Sequence, residues 1–295
     1  MQGSLVDIGL PAALFLIMVG MGLTLTPKDF REVLVAPRAT LFGFLAQALV
    51  MPLIAFALAW FLALDPLLAV GLVIIAACPG GTTSNIFTYL GGGDVALSVV
   101  LTVIAGLVSI VTLPLYTGLA LEWFQDESVS IELPVLRTVL LLVVIVIIPL
   151  LVGMALRKWT PEFALRAERF VGVFGLVVLS LVIVAILLSL GDRVVTLARD
   201  GAVMAVLLNI VGIAVGLGGG RLIGLDLRQS FTVAVELGLK NATLGLMITL
   251  TLLHSNEMSV PSAVYGLVMF GFGALLVLFS RQMGLQRPPL DDTAS

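Results

Sequence analysis

Long apolar runs fill most of the chain, and short polar, glycine-rich or proline-containing stretches separate them. A hydrocarbon layer about 30 Å thick takes roughly 20 helical residues to cross. Runs of that kind lie at 5–26, 39–62, 67–90, 95–121, 134–156, 169–190, 201–222, 228–253 and 260–280. The pattern predicts an all-α polytopic membrane protein with nine transmembrane helices. Two of the nine are expected to be broken. Pro79-Gly80-Gly81 interrupts the third, and Gly238 with Glu236, Lys240 and Asn241 interrupts the eighth.

The polar breaks fall at matching places. Spans one to four and six to nine can be compared as units, and the third member of each unit is the interrupted one. Matching spans are five apart, an odd number, so the units would cross the membrane in opposite directions. This is the inverted repeat of many secondary transporters, in which broken helices meet near the midplane.

Composition excludes a soluble domain: 60% of residues are hydrophobic and 11% charged, against about 25% charged in soluble proteins. Mean hydropathy is +1.20. No cleavable signal is expected, because the N-terminus lacks a basic region and the first apolar run ends in GLTLTPKDF. With the N-terminus outside, the inner loops receive Lys28, Arg31, Arg38, Arg157, Lys158, Arg166, Arg169, Arg221, Arg228, Arg281 and Arg287. The outer loops receive Arg137, Arg193 and Arg199. This bias predicts N-outside, C-inside and an odd number of spans. The acidic stretch Glu122–Glu132 then lies outside. A net charge of −3 without a basic cluster gives no reason to expect nucleic acid. Cys78 is the single cysteine, which excludes a disulfide framework or a cysteine-rich metal site. Nothing points to an obligate protein partner.

Three stretches carry candidate chemistry. In the first, Pro79-Gly80-Gly81 ends a helix and Thr82-Thr83-Ser84-Asn85 offers capping groups to a new one. The new N-terminus would favour an anion, while the oxygens of Ser84 and Asn85 suit a hard cation. In the second, Ser98 and Thr102 stand four residues apart and share one helix face, although either hydroxyl can instead bond back to its own helix. In the third, Glu236 and Lys240 place a carboxylate and an ammonium one helical turn apart in an apolar segment. Charge there is expensive, so function is expected.

PGGTTSN followed by DVALSVVLT, with GLTLTPKDF after the first span and VELGLKNATLG near the C-terminus, resembles the bile acid:sodium symporter family, particularly its bacterial members. The resemblance runs through essentially the whole chain in the same order. It implies two broken helices crossing at the membrane centre, a core domain and a panel domain, two sodium sites behind the crossover, and alternating access. On this pattern residues 1–30 and 134–190 form the panel, 38–124 and 200–281 the two halves of the core with breaks at 67–90 and 228–253, and 282–295 a cytoplasmic tail. It also implies a location in the cell inner (plasma) membrane.

Carried over residue by residue, the first sodium site consists of Ser84, Asn85, Ser98, Thr102 and Glu236. All five bear oxygen, as replacement of a cation's hydration requires. The second site of the family matches Gln47 and Glu236, but its third member, a glutamine, is here Lys240. An ammonium has the charge of sodium and repels a cation in a poorly hydrated interior. Lys240 is therefore expected to replace the second sodium, either paired with Glu236 or losing its proton during the cycle. The alternative is a lysine that extends away and fills space. Thr82, Thr83 and Asn241 are the implied substrate contacts.

Two further departures stand out. The chain starts at what resembles the second helix of ten-span bacterial relatives, giving nine spans, as in animal members. A His-Asn pair of some bacterial relatives is replaced by Met269-Phe270, which favours a less polar or differently shaped anion. His254, Trp60, Trp123 and Trp159 read as interfacial residues near span ends, Gly20 and Gly22 with Met18 and Met21 as helix packing, and Asn209 as an amide bonding between helices.

The expected function is inward transport of an organic anion, bile-acid-like or a small carboxylate, by sodium symport with one retained sodium site. The alternative is a proton-coupled or facilitative carrier in which Lys240 takes the place of the driving ion. A membrane enzyme is disfavoured, since no histidine cluster is present and Ser84 has no convincing catalytic partner. Broken helices in inverted units also argue against a channel.

Overall fold

The structure is a computed structural model that describes residues 8–26, 35–124, 133–189, 191 and 194–285. Among these residues helix is the only regular element apart from one isolated antiparallel bridge. We number the helices α1 (Leu10–Thr24), α2 (Pro37–Phe61), α3 (Pro66–Ala77), α4 (Thr82–Leu90), α5 (Val95–Phe124), α6 (Val135–Trp159), α7 (Pro161–Ser189), α8 (Val195–Leu222), α9 (Leu227–Gly238), α10 (Ala242–Leu252) and α11 (Asn256–Gln282). Five of them, α2, α5, α6, α8 and α11, are long and apolar enough to cross a membrane. Most observed ends differ from the expected ones by a few residues, α5 running on to Phe124 and α11 to Gln282, whereas α7 starts at Pro161, eight residues before the expected 169. The C-terminal tail expected over 282–295 lies mostly outside the described residues, as does the stretch from 125 to 132.

Outward faces are as apolar as inward ones. Leu41, Leu45, Leu49 and Leu53 form an exposed stripe along α2, and Val111, Leu115 and Leu119 form one along α5. Such surfaces are stable against lipid tails rather than water. Trp60, Trp123 and Trp159 are exposed at the ends of α2, α5 and α6, where an amphipathic ring suits the bilayer boundary.

Helix α1 packs against α6 and α7. Gly22 of α1 and Gly153 of α6 face each other so closely that a Cβ on either would strike the other's backbone. Small residues here let two helices approach without side chains between them. The glycine-methionine segment of α1 is packing, as expected. Helices α2 to α5 and α8 to α11 make the rest, with α3 at its centre. From Leu68 to Ala77 every residue of α3 is buried, as its uniformly apolar sequence requires. Asp65 starts this helix, its carboxylate accepting from Leu67 N–H at 3.0 Å.

Both expected helix interruptions are present, and they touch. Helix α3 stops before Cys78 and α4 starts after Gly81, whereas α9 stops at Gly238 and α10 starts after Asn241. Between them, Gly80 and Lys240 form an antiparallel bridge. Gly81 N–H donates to Leu239 O at 3.1 Å, and Asn241 N–H donates to Pro79 O at 2.8 Å. Backbone groups that lose helical partners thus satisfy one another.

Two local expectations are corrected. Glu236 and Lys240 are not one turn apart on a helix, because α9 ends between them and Lys240 lies in the extended crossover. The N-cap of α4 is Gly81 rather than one of Thr82 to Asn85, and no side chain caps that terminus. His254, read as interfacial near a span end, is exposed and adopts a left-handed backbone with φ of 50° just before α11.

Candidate functional site

Glu236 lies in the last turn of α9, 1% exposed, with its carboxylate at the crossover. The hydroxyls of Ser84 and Ser98 donate to Oε1 at 2.5 Å each. The Thr102 hydroxyl lies 3.0 Å from both Oε1 and Oε2. Three elements therefore converge: α4 brings Ser84, α5 brings Ser98 and Thr102, and α9 brings Glu236. Spacing explains the middle pair, since residues four apart on α5 share a face. Thr102 also lies 3.0 Å from Ser98 O, so the bond back to its own helix is available as well.

Protons are scarce in this cluster. Ser84 Oγ also faces Gly81 O at 2.7 Å, and Thr102 Oγ1 faces three acceptors, yet each hydroxyl has one proton. Thr88, fully buried one turn beyond Ser84, supplies a further proton to Ser98 Oγ at 3.2 Å. Asn85, next to Ser84 in the chain, has a buried Oδ1 with no hydrogen-bond partner. Oxygen atoms outnumber the protons available to them, which is the donor chemistry that a small hard cation satisfies. Ser84, Ser98, Thr102 and Glu236 are thus brought together, with Asn85 next in the chain.

Gly80 closes one side. A Cβ there would collide with Glu236 Oε2 and approach Thr102 Oγ1 to 3.6 Å. Only glycine lets the carboxylate lie against the crossover backbone.

The other expected group is arranged differently. Gln47 is 2% exposed within a π-helical turn of α2, and neither of its amide atoms has a hydrogen-bond partner. Lys240 is fully buried, and its Nζ likewise has no hydrogen-bond partner. Lys240 Nζ therefore makes no hydrogen bond to the Glu236 carboxylate. Neither Gln47 nor Lys240 hydrogen-bonds to Glu236.

Thr82, Thr83 and Asn241 meet at a cavity beside the crossover. With Lys240, Ala242 and Thr243 they line a cavity of about 60 Å³, facing Ile17 of α1 and Val171, Leu176 and Leu179 of α7. Met269 and Phe270 of α11 complete the wall. One side is hydroxyl and amide, the other hydrocarbon. Asn241 also caps α10, its Oδ1 accepting from Leu244 N–H at 3.0 Å. Asn209 bonds between helices as expected, but Tyr265, which joins it on the same carbonyl, has no sequence signal beyond being a tyrosine in an apolar span. Thr88 is likewise illegible without the fold, because it acts through Ser98.

A family model described as the sodium bile acid symporter family matches residues 11–197. The chain belongs to this family. It is 34% identical over 268 residues to an uncharacterized sodium-dependent transporter, YocS, of Bacillus subtilis (strain 168), covering 90% of this chain and 80% of that relative. It is 31% identical to a probable sodium/metabolite cotransporter, chloroplastic BASS2, of Oryza sativa subsp. japonica, over 94% of this chain and 64% of the relative. It is 29% identical to the human ileal sodium/bile acid cotransporter over 90% of this chain and 76% of the relative. The chain spans a little under two thirds of the plant protein's length. These relatives are named as transporters, not enzymes, and with the long apolar helices they make this chain a multi-pass membrane protein of a sodium symporter family.

Proposed function

We propose that the protein is a secondary active transporter that carries an organic anion inward with sodium by alternating access. The observation that carries this reading is the oxygen-rich, proton-poor cluster around Glu236 at the junction of two broken helices. Sodium binds there as a co-substrate, held by Ser84, Asn85, Ser98, Thr102 and Glu236. The anion binds in the cavity beside the crossover, against Thr82, Thr83 and Asn241, where the N-terminus of α4 favours negative charge. In the plasma membrane the chain makes nine crossings with the N-terminus outside. Helices α1, α6 and α7 act as the panel, and α2–α5 with α8–α11 act as the core, as two inverted halves.

Lys240 occupies the place of a second sodium. Its ammonium supplies a fixed positive charge where relatives bind a second ion, which leaves one sodium per cycle. Uptake of cholate and of pyruvate into proteoliposomes, with and without an inward sodium gradient, tests the coupling. Sodium-driven uptake that Glu236→Ala abolishes supports it, and uptake indifferent to sodium but still lost in Glu236→Ala rejects it. The buried Nζ without a hydrogen-bond partner favours one competing reading, a carrier in which Lys240 does the work of the driving ion. Under that reading a proton gradient, not a sodium gradient, changes uptake.

A further inference from the structure

A helix that stops leaves its last carbonyls without N–H partners. At the end of α9 these oxygens can be traced. Val235 O accepts from Leu239 N–H at 2.8 Å, Leu239 O accepts from Gly81 N–H, and Lys240 O accepts from Ala242 N–H at 3.0 Å. Gly238 O is served from outside the broken helix altogether. Asn209 Nδ2, from α8, donates to it at 2.9 Å, and the Tyr265 hydroxyl, from α11, donates at 2.9 Å while lying 3.4 Å from Leu237 O. Both donors are fully buried.

A carbonyl oxygen has two lone pairs, so these two bonds fill it. In broken transporter helices, freed carbonyls are common ion ligands. Here the Gly238 carbonyl is closed to a cation and used as an anchor. It stands two residues from Glu236, at the last residue of α9. We propose that Tyr265 and Asn209 are positioning residues for the ion site, pinning the broken end of α9 so that Glu236 meets the hydroxyls of Ser84, Ser98 and Thr102. Tyr265 also lies one helical turn from Met269 in the cavity wall. The same helix therefore touches the anion side and holds the ion side.

This inference rests on reading the Glu236 cluster as a sodium site, and sodium itself is the probe. Thermal unfolding of the purified full chain is followed as sodium chloride replaces choline chloride at constant ionic strength. Tyr265→Phe and Asn209→Leu are each expected to raise the half-saturating sodium concentration about fivefold, the effect of one lost hydrogen bond. A purely structural role would lower the melting temperature in choline and leave the sodium midpoint unchanged, which would overturn the proposal. The two variants remove different donors, so one that does not fold leaves the other to decide. A wild-type protein with no sodium response rejects the sodium site itself. A wild-type response shared unchanged by both variants rejects only the positioning role.

Discussion

At the residue scale, the site depends on one close approach. Glu236 Oε2 lies where the side chain of any residue but glycine at position 80 would begin. Gly80→Ala is expected to push the carboxylate off its hydroxyls at a cost of about 1–3 kcal/mol. In a sodium titration the midpoint should rise about tenfold while helix content by circular dichroism is unchanged; an unshifted midpoint would show that the carboxylate has room to move. Lys240→Gln is expected to strengthen the dependence of uptake on sodium, because it removes a buried charge and restores an oxygen. An unaltered sodium response would mean that Lys240 does not stand where a second ion binds. Much of this cluster was legible in the sequence. Ser98 and Thr102 share a helix face by spacing alone, and Glu236 is conspicuous as a carboxylate in an apolar run. The position of Lys240 was misread because helical spacing was extended past Gly238, where the helix has already stopped.

At the element scale, hydropathy located the helices, Pro79-Gly80-Gly81 located the first break, and Gly238 with Glu236, Lys240 and Asn241 located the second. What it could not supply was the pairing between the breaks, which uses backbone groups and leaves no side-chain signature. The far ends of the same elements are also tied together. Arg228 Nε donates to Gly92 O at 3.1 Å, and Asp94 N–H donates to the Thr232 hydroxyl at 2.7 Å. Phe231 packs against Gly91 and Gly93, where a Cβ would collide with its ring. These contacts hold α9 against the turn between α4 and α5, the two helices that present hydroxyls to Glu236. Thr232→Val leaves the Asp94 N–H without its acceptor and is expected to cost about 1–3 kcal/mol of stability. A lowered melting temperature, in the presence and absence of sodium alike, is the predicted reading. An unchanged one would remove this contact from the account of how α9 is held.

At the scale of the whole molecule, the cavity between the crossover and α1 with α7 is too small for its proposed cargo. It holds about 60 Å³, whereas sites for organic ligands run to about 300–1,000 Å³. Under the proposed function, α1 and α7 move away from the crossover to admit the anion. Cysteines introduced at Ile17 and Thr243, which line that cavity from opposite sides, are expected to block uptake when joined by a short bifunctional reagent and to restore it when the link is cleaved. Cys78 is the native cysteine and is buried, so a Cys78→Ala background isolates the introduced pair. Uptake that persists across the link would mean that these surfaces do not separate. With one sodium and one monovalent anion per cycle, transport should also carry no current, and a sodium-dependent current in a planar bilayer would exclude that stoichiometry.

The bridge between Gly80 and Lys240 makes the crossover a miniature two-stranded ribbon held by amides and carbonyls alone. The hydrogen bonds of that ribbon use no side-chain atom of position 240. Under the proposed function, an amide and an amine at this position could therefore share one crossover, and exchange of a mobile ion for a tethered one would call for no change in its backbone pairing. The driving force of such a carrier would then be a property of one codon.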